Sequence, residues 1–220
     1  MPLVIAMDGP SGSGKSSASK GVARALGLRY LDTGAMYRAM TWWMLRAGVP
    51  VEDAEAVAAR AGEPVIESGT DPDAPTIAVD GTDVSAPIRT REVTNAVSAV
   101  SAVPRVRERL VALQREIIGA GGIVVEGRDI GTVVAPDAPV KIFLTASEEA
   151  RAARRARDLA ADPGATVTVT RAEQARRDRL DSTRAASPLA RAEDAHEIDS
   201  TELTLDEVIE TVVRLAKDAS

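Results

Sequence analysis

Short apolar runs alternate along this chain with segments whose apolar residues recur every three or four positions. That alternation predicts strands interleaved with helices. Leu3–Met7 is a continuous apolar run ending in Asp8 and Gly9, the pattern of a strand buried on both faces of a parallel sheet. Ala18, Val22, Ala25 and Leu26 then repeat at helical spacing, and Gly27 supplies a stop. Leu28–Leu31 predicts a second short strand. Met36, Met40, Trp43 and Met44 mark the inner face of a helix that ends near Gly48. This methionine and tryptophan stripe is read as core packing rather than as a cofactor box.

The middle changes character. Ala54–Ala61 predicts a short helix, and Gly69–Pro75 is a turn cluster. Thr76–Val79 and Thr82–Val84 flank Asp80-Gly81, which predicts a hairpin with a two-residue turn. This small β-rich element interrupts the strand–helix alternation and reads as an insertion. Pro104 opens a helix at its first position, with Val106, Leu110, Leu113 and Ile117 facing inward. Ile123–Val125 and Val140–Leu144 are two further buried-strand candidates. The last third is helical and arginine-rich, broken at Ala161–Ala165. Thr170 with Glu173, and Thr204 with Glu207, have the spacing of capping boxes. In the final helix Leu205, Val208, Ile209, Val212 and Leu215 are expected to face inward. The pattern is an α/β, doubly wound parallel-sheet fold.

Composition narrows the chemistry. The net charge is −6 and aromatic residues make up 2%, so nucleic-acid binding and base stacking are not expected. With no cysteine, a disulfide framework, a zinc–thiolate site and a cysteine nucleophile are impossible. The single histidine, His196, beside a predicted strand, is given a structural role. The N-terminal apolar run has no basic region before it and does not read as a signal peptide. No run reaches membrane-spanning length, so no membrane partner and a cytoplasmic location are expected.

Gly9-Pro10-Ser11-Gly12-Ser13-Gly14-Lys15-Ser16 satisfies G-x-x-x-x-G-K-[ST] between a predicted strand and a predicted helix. Its glycines let backbone N–H groups turn inward around phosphate oxygens, and the helix N-terminus adds partial positive charge. Lys15 is placed to reach the β- and γ-phosphates, and the Ser16 hydroxyl to ligate Mg²⁺. A P-loop identifies the donor and not the reaction. Small-molecule kinases, GTPase switches and motor or remodelling ATPases all carry one. No N-K-x-D guanine-reading segment occurs here. The strand Ile123–Val125 ends in Glu126, which is placed to assist a metal.

Arginines point to the kinase class, because planar guanidinium forks match phosphate oxygens. Arg38 follows Asp32-Thr33-Gly34, and Arg128 lies in Glu126-Gly127-Arg128-Asp129 just after a strand. Ligands collect at such strand ends in doubly wound sheets. Arg177, Asp181 and Arg184 have the spacing of one helical face, and Arg151, Arg154, Arg155 and Arg157 add a basic stretch.

Taken in order, Gly9–Ser16, Leu31–Arg38, Asp83-Val84-Ser85 with Ile88-Arg89, Val103–Arg107 and Glu126–Val134 resemble the bacterial cytidylate kinases. The resemblance runs from about Val4 to Lys217. It implies phosphorylation of CMP and dCMP with ATP and Mg²⁺. It also implies a P-loop core at 1–34, 104–146 and 191–220, a monophosphate-binding domain with a small inserted sheet at 35–103, and a helical lid at 147–190. A monomer is expected. By resemblance Gly9–Ser16, Ser17 and Arg154 hold ATP. Thr33, Arg38, Ser98, Arg107, Arg128, Asp129, Arg177, Asp181 and Arg184 form the acceptor site, and Lys15, Arg128 and Arg184 carry catalysis. Thr33 stands where Ser is common and keeps the hydroxyl. Glu126 stands where Asp is common. The alternatives are a kinase for UMP or shikimate, or a P-loop switch or ATPase with a macromolecular partner.

Overall fold

The computed structural model describes residues 3–158 and 166–219. The chain opens with β1 (Val4–Asp8), α1 (Lys15–Leu26), β2 (Arg29–Asp32) and α2 (Thr33–Arg46). Next come α3 (Ala54–Arg60), β3 (Ile66–Ser68), β4 (Ile77–Val79), β5 (Thr82–Asp83), α4 (Arg91–Ala102) and α5 (Pro104–Ile118). It closes with β6 (Ile123–Glu126), β7 (Val140–Thr145), α6 (Glu148–Asp158), α7 (Val167–Thr183), β8 (His196–Asp199) and α8 (Leu205–Asp218).

Five strands form a parallel sheet in the order β2-β6-β1-β7-β8. β1 is central, with Ile5 facing Val124 on one side and Val140 on the other. Successive side chains of a strand point to opposite faces, and the core divides accordingly. Ile5, Met7, Val124, Ile142 and Leu144 pack with Val22 of α1 and Val208 and Val212 of α8. Ala6, Leu31, Ile123 and Val125 pack with Met36 and Met40 of α2, Val97 of α4 and Leu110 of α5. Helices on both faces make the doubly wound α/β architecture expected from the pattern.

The predicted hairpin is present as β4 and β5, with Asp80 and Gly81 both at positive φ, as a tight two-residue turn requires. A third antiparallel strand, β3, completes a separate small sheet. Asp80 ties the turn to its surroundings, accepting from Val65 N at 2.8 Å and from Trp43 Nε1 at 3.1 Å. The Arg60 guanidinium lies 4.9 Å over the Trp43 ring.

Several local expectations need correction. Thr170 does not cap a helix: α7 starts at Val167 with Thr166 as its cap, and Thr170 is buried one turn inside. Leu205 does not face the core. It is 47% exposed, because it is the first residue of α8, before the helix meets the sheet. Ala25 is exposed and Ala23 takes the inner position in α1. Arg184 lies beyond the last turn of α7 in extended backbone rather than on its face. The predicted break at Ala161–Ala165 lies outside the described residues. No helix among the described residues is long and apolar enough to cross a membrane.

The second predicted capping box is intact. Glu207 N donates to Thr204 Oγ1 at 3.3 Å, and Thr204 N donates to Glu207 Oε2 at 2.8 Å. Thr204→Ala removes one half of it and should lower the unfolding free energy by about 1 kcal/mol. Urea denaturation checks this, and an unchanged midpoint would show that the cap adds nothing.

Candidate active site

The head of β1 builds the site. β1 runs straight into Gly9–Gly14, and Gly9, Gly12 and Gly14 all have positive φ, so the chain wraps into a loop that ends on the N-terminus of α1. The loop is also tightly enclosed. A Cβ on Gly9 would fall 2.1 Å from the Leu144 carbonyl oxygen, and one on Gly12 would fall 2.3 Å from Gln174 Nε2. In this state Lys15 folds back over the loop, its Nζ donating to Pro10 O at 2.7 Å and Ser13 Oγ at 3.3 Å. Burial, and then the charge of Arg128, pull the Lys15 ammonium down to about 7.

Next to the loop, β6 ends in Glu126. Ser16 Oγ donates to Glu126 Oε2 at 3.0 Å, and the Tyr30 hydroxyl donates to Glu126 Oε1. Thr33 Oγ1 donates to the Glu126 carbonyl oxygen at 2.7 Å. Burial, and then the nearby Asp32 carboxylate, push the Glu126 carboxyl up to about 7. Asp32 caps α2 by accepting from Ala35 N at 2.9 Å. Asp8, at the end of β1, is raised to about 6, chiefly by burial.

A cavity of about 720 Å³ opens at the carboxyl ends of the strands. The P-loop from Ser11 to Ser17 forms its floor. Asp32, Glu126 and the arginines at 38, 89, 128, 154, 155, 157 and 177 line its walls. Arg38 is half-buried and donates to Ile88 O at 3.0 Å and Thr94 Oγ1 at 2.9 Å. Burial, and then Arg177, lower Arg38 to about 9. Burial, and then Arg128, lower Arg177 to about 10, and its Nε is a buried atom without a hydrogen-bond partner. These guanidiniums stay charged at neutral pH, so the cavity concentrates cation that an anion would neutralise.

Behind Arg128 lies a second, buried cluster. Arg128 Nε donates to Asp181 Oδ2 at 3.1 Å. Arg107 donates to Asp129 Oδ2 and, at 3.2 Å, to Ser101 O, while its guanidinium lies 5.1 Å over the Tyr37 ring. Arg184 sits 3.7 Å from Asp129 and 3.9 Å from Asp181. Arg107 Nε and Arg184 Nη2 are buried without hydrogen-bond partners. Ser98 is buried one turn before Ser101 on α4 and does not line the large cavity.

Helices α6 and α7 reach over the loop. The Asp178 carboxylate accepts from Ser11 N at 2.9 Å and pairs with Arg151. Arg151 Nη1 donates to Ser11 O at 2.9 Å. Arg154 donates to Ser200 Oγ at 2.9 Å and borders the same cavity.

The structure therefore places the P-loop, Arg38, Arg128, Arg154 and Arg177 around one space. It gathers Arg107, Asp129, Asp181 and Arg184 next to it, while Thr33 is tied to the Glu126 carbonyl and Ser98 is buried on α4 with its carbonyl accepting from Ser101. Sequence reasoning did not single out Asp178, Gln174 or Ser200 for the site. It saw Arg155 and Arg157 only as part of a basic stretch, which was the available signal.

Cation left unpaired on both sides of a P-loop is suited to two phosphate chains brought end to end. By fold and site the molecule is a P-loop kinase. The sequence model of the cytidylate kinase family matches residues 5–218, and the chain belongs to that family. It is 62% identical over 218 residues to a cytidylate kinase of Streptomyces avermitilis, covering 98% of this chain and 93% of the relative. Its identity to the cytidylate kinase of Nocardia farcinica is 57%, over 97% and 93% of the two chains. Among solved structures, a gluconokinase from Sinorhizobium meliloti shares the fold with a TM-score of 0.50 at 16% identity, covering 99% of this chain and 93% of that one. An uncharacterized protein from Eubacterium ventriosum does so with a TM-score of 0.55 at 11% identity, covering 99% of both chains.

The Arg107–Asp129 pair is deeply buried, so removing one partner leaves the other charge uncompensated. Arg107→Met should lower stability by about 3–5 kcal/mol. A loss below about 1 kcal/mol in denaturant titration would show that Arg184 alone neutralises Asp129.

Proposed function

We propose that this chain transfers the γ-phosphoryl group of ATP to CMP, and to dCMP, giving ADP and the nucleoside diphosphate. The observation that carries this reading is the arginine-lined cavity on a P-loop floor, joined through Arg128 to the buried Asp129 cluster. The loop N–H groups and Lys15 hold the donor phosphates. Lys15 leaves its present bonds to Pro10 and Ser13 when phosphate oxygens replace them, and their negative charge restores its proton affinity. Ser17 and Arg154 border the donor side.

The hydroxyl of Ser16, with the Glu126 and Asp32 carboxylates beside it, is an oxygen donor set that fits Mg²⁺ shared with phosphate and water. Among the described residues no group of three or more His, Cys, Asp or Glu side chains could hold an ion unaided, which suits an ion carried in with the nucleotide. When bound, Mg²⁺ neutralises charge on the β- and γ-oxygens.

Arg38, Arg128 and Arg184 bind the acceptor phosphate, and Asp181 with Arg177 takes the ribose hydroxyls. An oxygen of the acceptor phosphate attacks the γ-phosphorus and the ADP oxygen departs. The attacking group is already anionic, so no strong base is required, and positioning with charge stabilisation carries the rate. Asp129 accepts from the cytosine amino group, while Arg107 and Ser98, with Thr33 nearby, complete the acceptor side.

β1, β2, β6–β8, α1, α5 and α8 make the donor core. The acceptor domain is α2–α4 with the small sheet, and α6 and α7 form the lid. Their contacts with Ser11 support a lid that closes on the donor loop and excludes water. The enzyme acts as a monomer on small-molecule nucleotides.

An ADP-release assay over CMP, dCMP, UMP and shikimate tests this. Turnover should require an acceptor and be fastest with CMP or dCMP. UMP, which sets an oxygen opposite Asp129, should be at least about tenfold poorer in kcat/KM. Acceptor-independent hydrolysis as the main reaction would reject the kinase reading. Asp129→Asn presents an amide donor, so it should lose CMP activity and narrow the CMP-to-UMP ratio. An unchanged ratio would reject base reading by Asp129.

A further inference from the structure

Asp8 is a buried carboxylate that none of the steps above uses. It is the last residue of β1, immediately before the P-loop, and both its carboxylate oxygens accept from residues outside the loop. Its Oδ1 accepts from Ile130 N at 2.8 Å and its Oδ2 from Gly131 N at 2.7 Å. Those two N–H groups open the irregular turn Ile130–Val134, directly after Asp129. On the other side of Arg128, Gly127 N donates to the Met7 carbonyl oxygen at 3.0 Å. The four-residue passage from Gly127 to Ile130 is thus pinned to β1 at both ends. Arg128 and Asp129, the residues between the pins, are the ones that face the acceptor.

We infer that Asp8 is a positioning residue that fixes Arg128 and Asp129 relative to the P-loop, and so sets the alignment of acceptor against donor. This rests on the CMP kinase reading for what Arg128 and Asp129 contact, but not for the pinning itself. Two features make the carboxylate specific to the task. Successive backbone N–H groups need two acceptor atoms, and a carboxylate supplies both, whereas an amide supplies one acceptor and one donor. The turn also lies close against its support. A Cβ on Gly131 would fall 3.2 Å from Lys141 Cδ and, at ordinary contact distance, 3.5 Å from Asp8 Oδ2, so the turn rests directly against the carboxylate. The donor loop departs from the same residue in the other direction, through backbone alone. Loss of the side-chain pin therefore reaches the acceptor side and leaves the loop's own glycine geometry in place.

The test is Asp8→Asn, which keeps size and shape but turns an NH₂ toward one of the two N–H groups. Calorimetric ATP affinity without acceptor should not weaken, because the Asp8 carboxylate also acts on Lys15 and losing its negative charge favours a polyanion. The CMP KM should rise by about tenfold or more, with kcat also falling. Amide exchange at Ile130 and Gly131 should accelerate by about tenfold or more, while Gly127 keeps its protection. Equal weakening of ATP and CMP, or unchanged CMP kinetics with faster exchange at 130 and 131, would overturn the inference. If wild type itself fails to turn over CMP, the functional reading falls. The exchange measurement then still decides whether Asp8 holds the turn. Should Asp8→Asn not fold, Asp8→Glu keeps the charge and both acceptor oxygens but lengthens the side chain by one methylene, which shifts the turn relative to β1. It should raise the CMP KM in the same selective way, and an unaltered CMP KM in that variant would likewise overturn the inference.

Discussion

Charge buried without enough counter-charge is the constraint on which this site depends. Lys15, Arg38, Arg177 and Arg184 are all pulled down first by burial, and Asp8 and Glu126 are pushed up by it. Several of these groups are held by backbone or hydroxyl partners rather than by a counter-charge, as Lys15 is at Pro10, Arg38 at Ile88, Asp8 at Ile130 and Glu126 at Ser16. Such bonds hold the side chains in place without cancelling the net positive field of the cavity. The polar head of β1 is tolerable only because the rest of β1 is apolar and fully enclosed by β6, β7 and the two helical layers. An apolar, buried scaffold thus supports a cluster whose electrostatics favour polyanions.

The two halves of the site are held in different ways. The P-loop side is mostly backbone: a glycine loop, a helix N-terminus and close packing against Leu144 and Gln174. The side beyond Arg128 is mostly side chain, a network of alternating sign running from Arg128 through Asp181 and Arg184 to Asp129 and Arg107. Backbone cradles tolerate any polyphosphate of the right charge. Networks with buried unpaired donors favour a particular partner, because an ill-matched ligand leaves those donors unsatisfied.

Much of this was legible in the sequence, for identifiable reasons. The P-loop is local, so eight consecutive residues carried its whole meaning. Arg38 and Arg128 stood out because each follows a glycine near a predicted strand end, where the fold collects ligands. The parallel strands were legible because burial on both faces leaves an uninterrupted apolar run. Other features depend on distant partners. Nothing near Asp8 announces hydrogen bonds to residues 130 and 131, and nothing near Asp178 announces a contact with Ser11. β3 was missed because three residues carry no readable period. Thr170 was misplaced because the spacing of a capping box also occurs inside a helix, where only tertiary packing decides the true start. Ser98 and Arg107 drew attention through family resemblance alone, since a serine and an arginine on helices α4 and α5 look like ordinary surface residues.

The chain's two indoles, Trp42 and Trp43, are neighbours in α2, the helix that also carries Arg38. Both are only partly buried, and Trp43 is bracketed by the Arg60 guanidinium on its face and the Asp80 carboxylate at its ring nitrogen. Indole emission from this protein therefore originates in α2 alone. It is sensitive to how α2 sits against the β4–β5 turn, and the donor loop contains no fluorophore of its own.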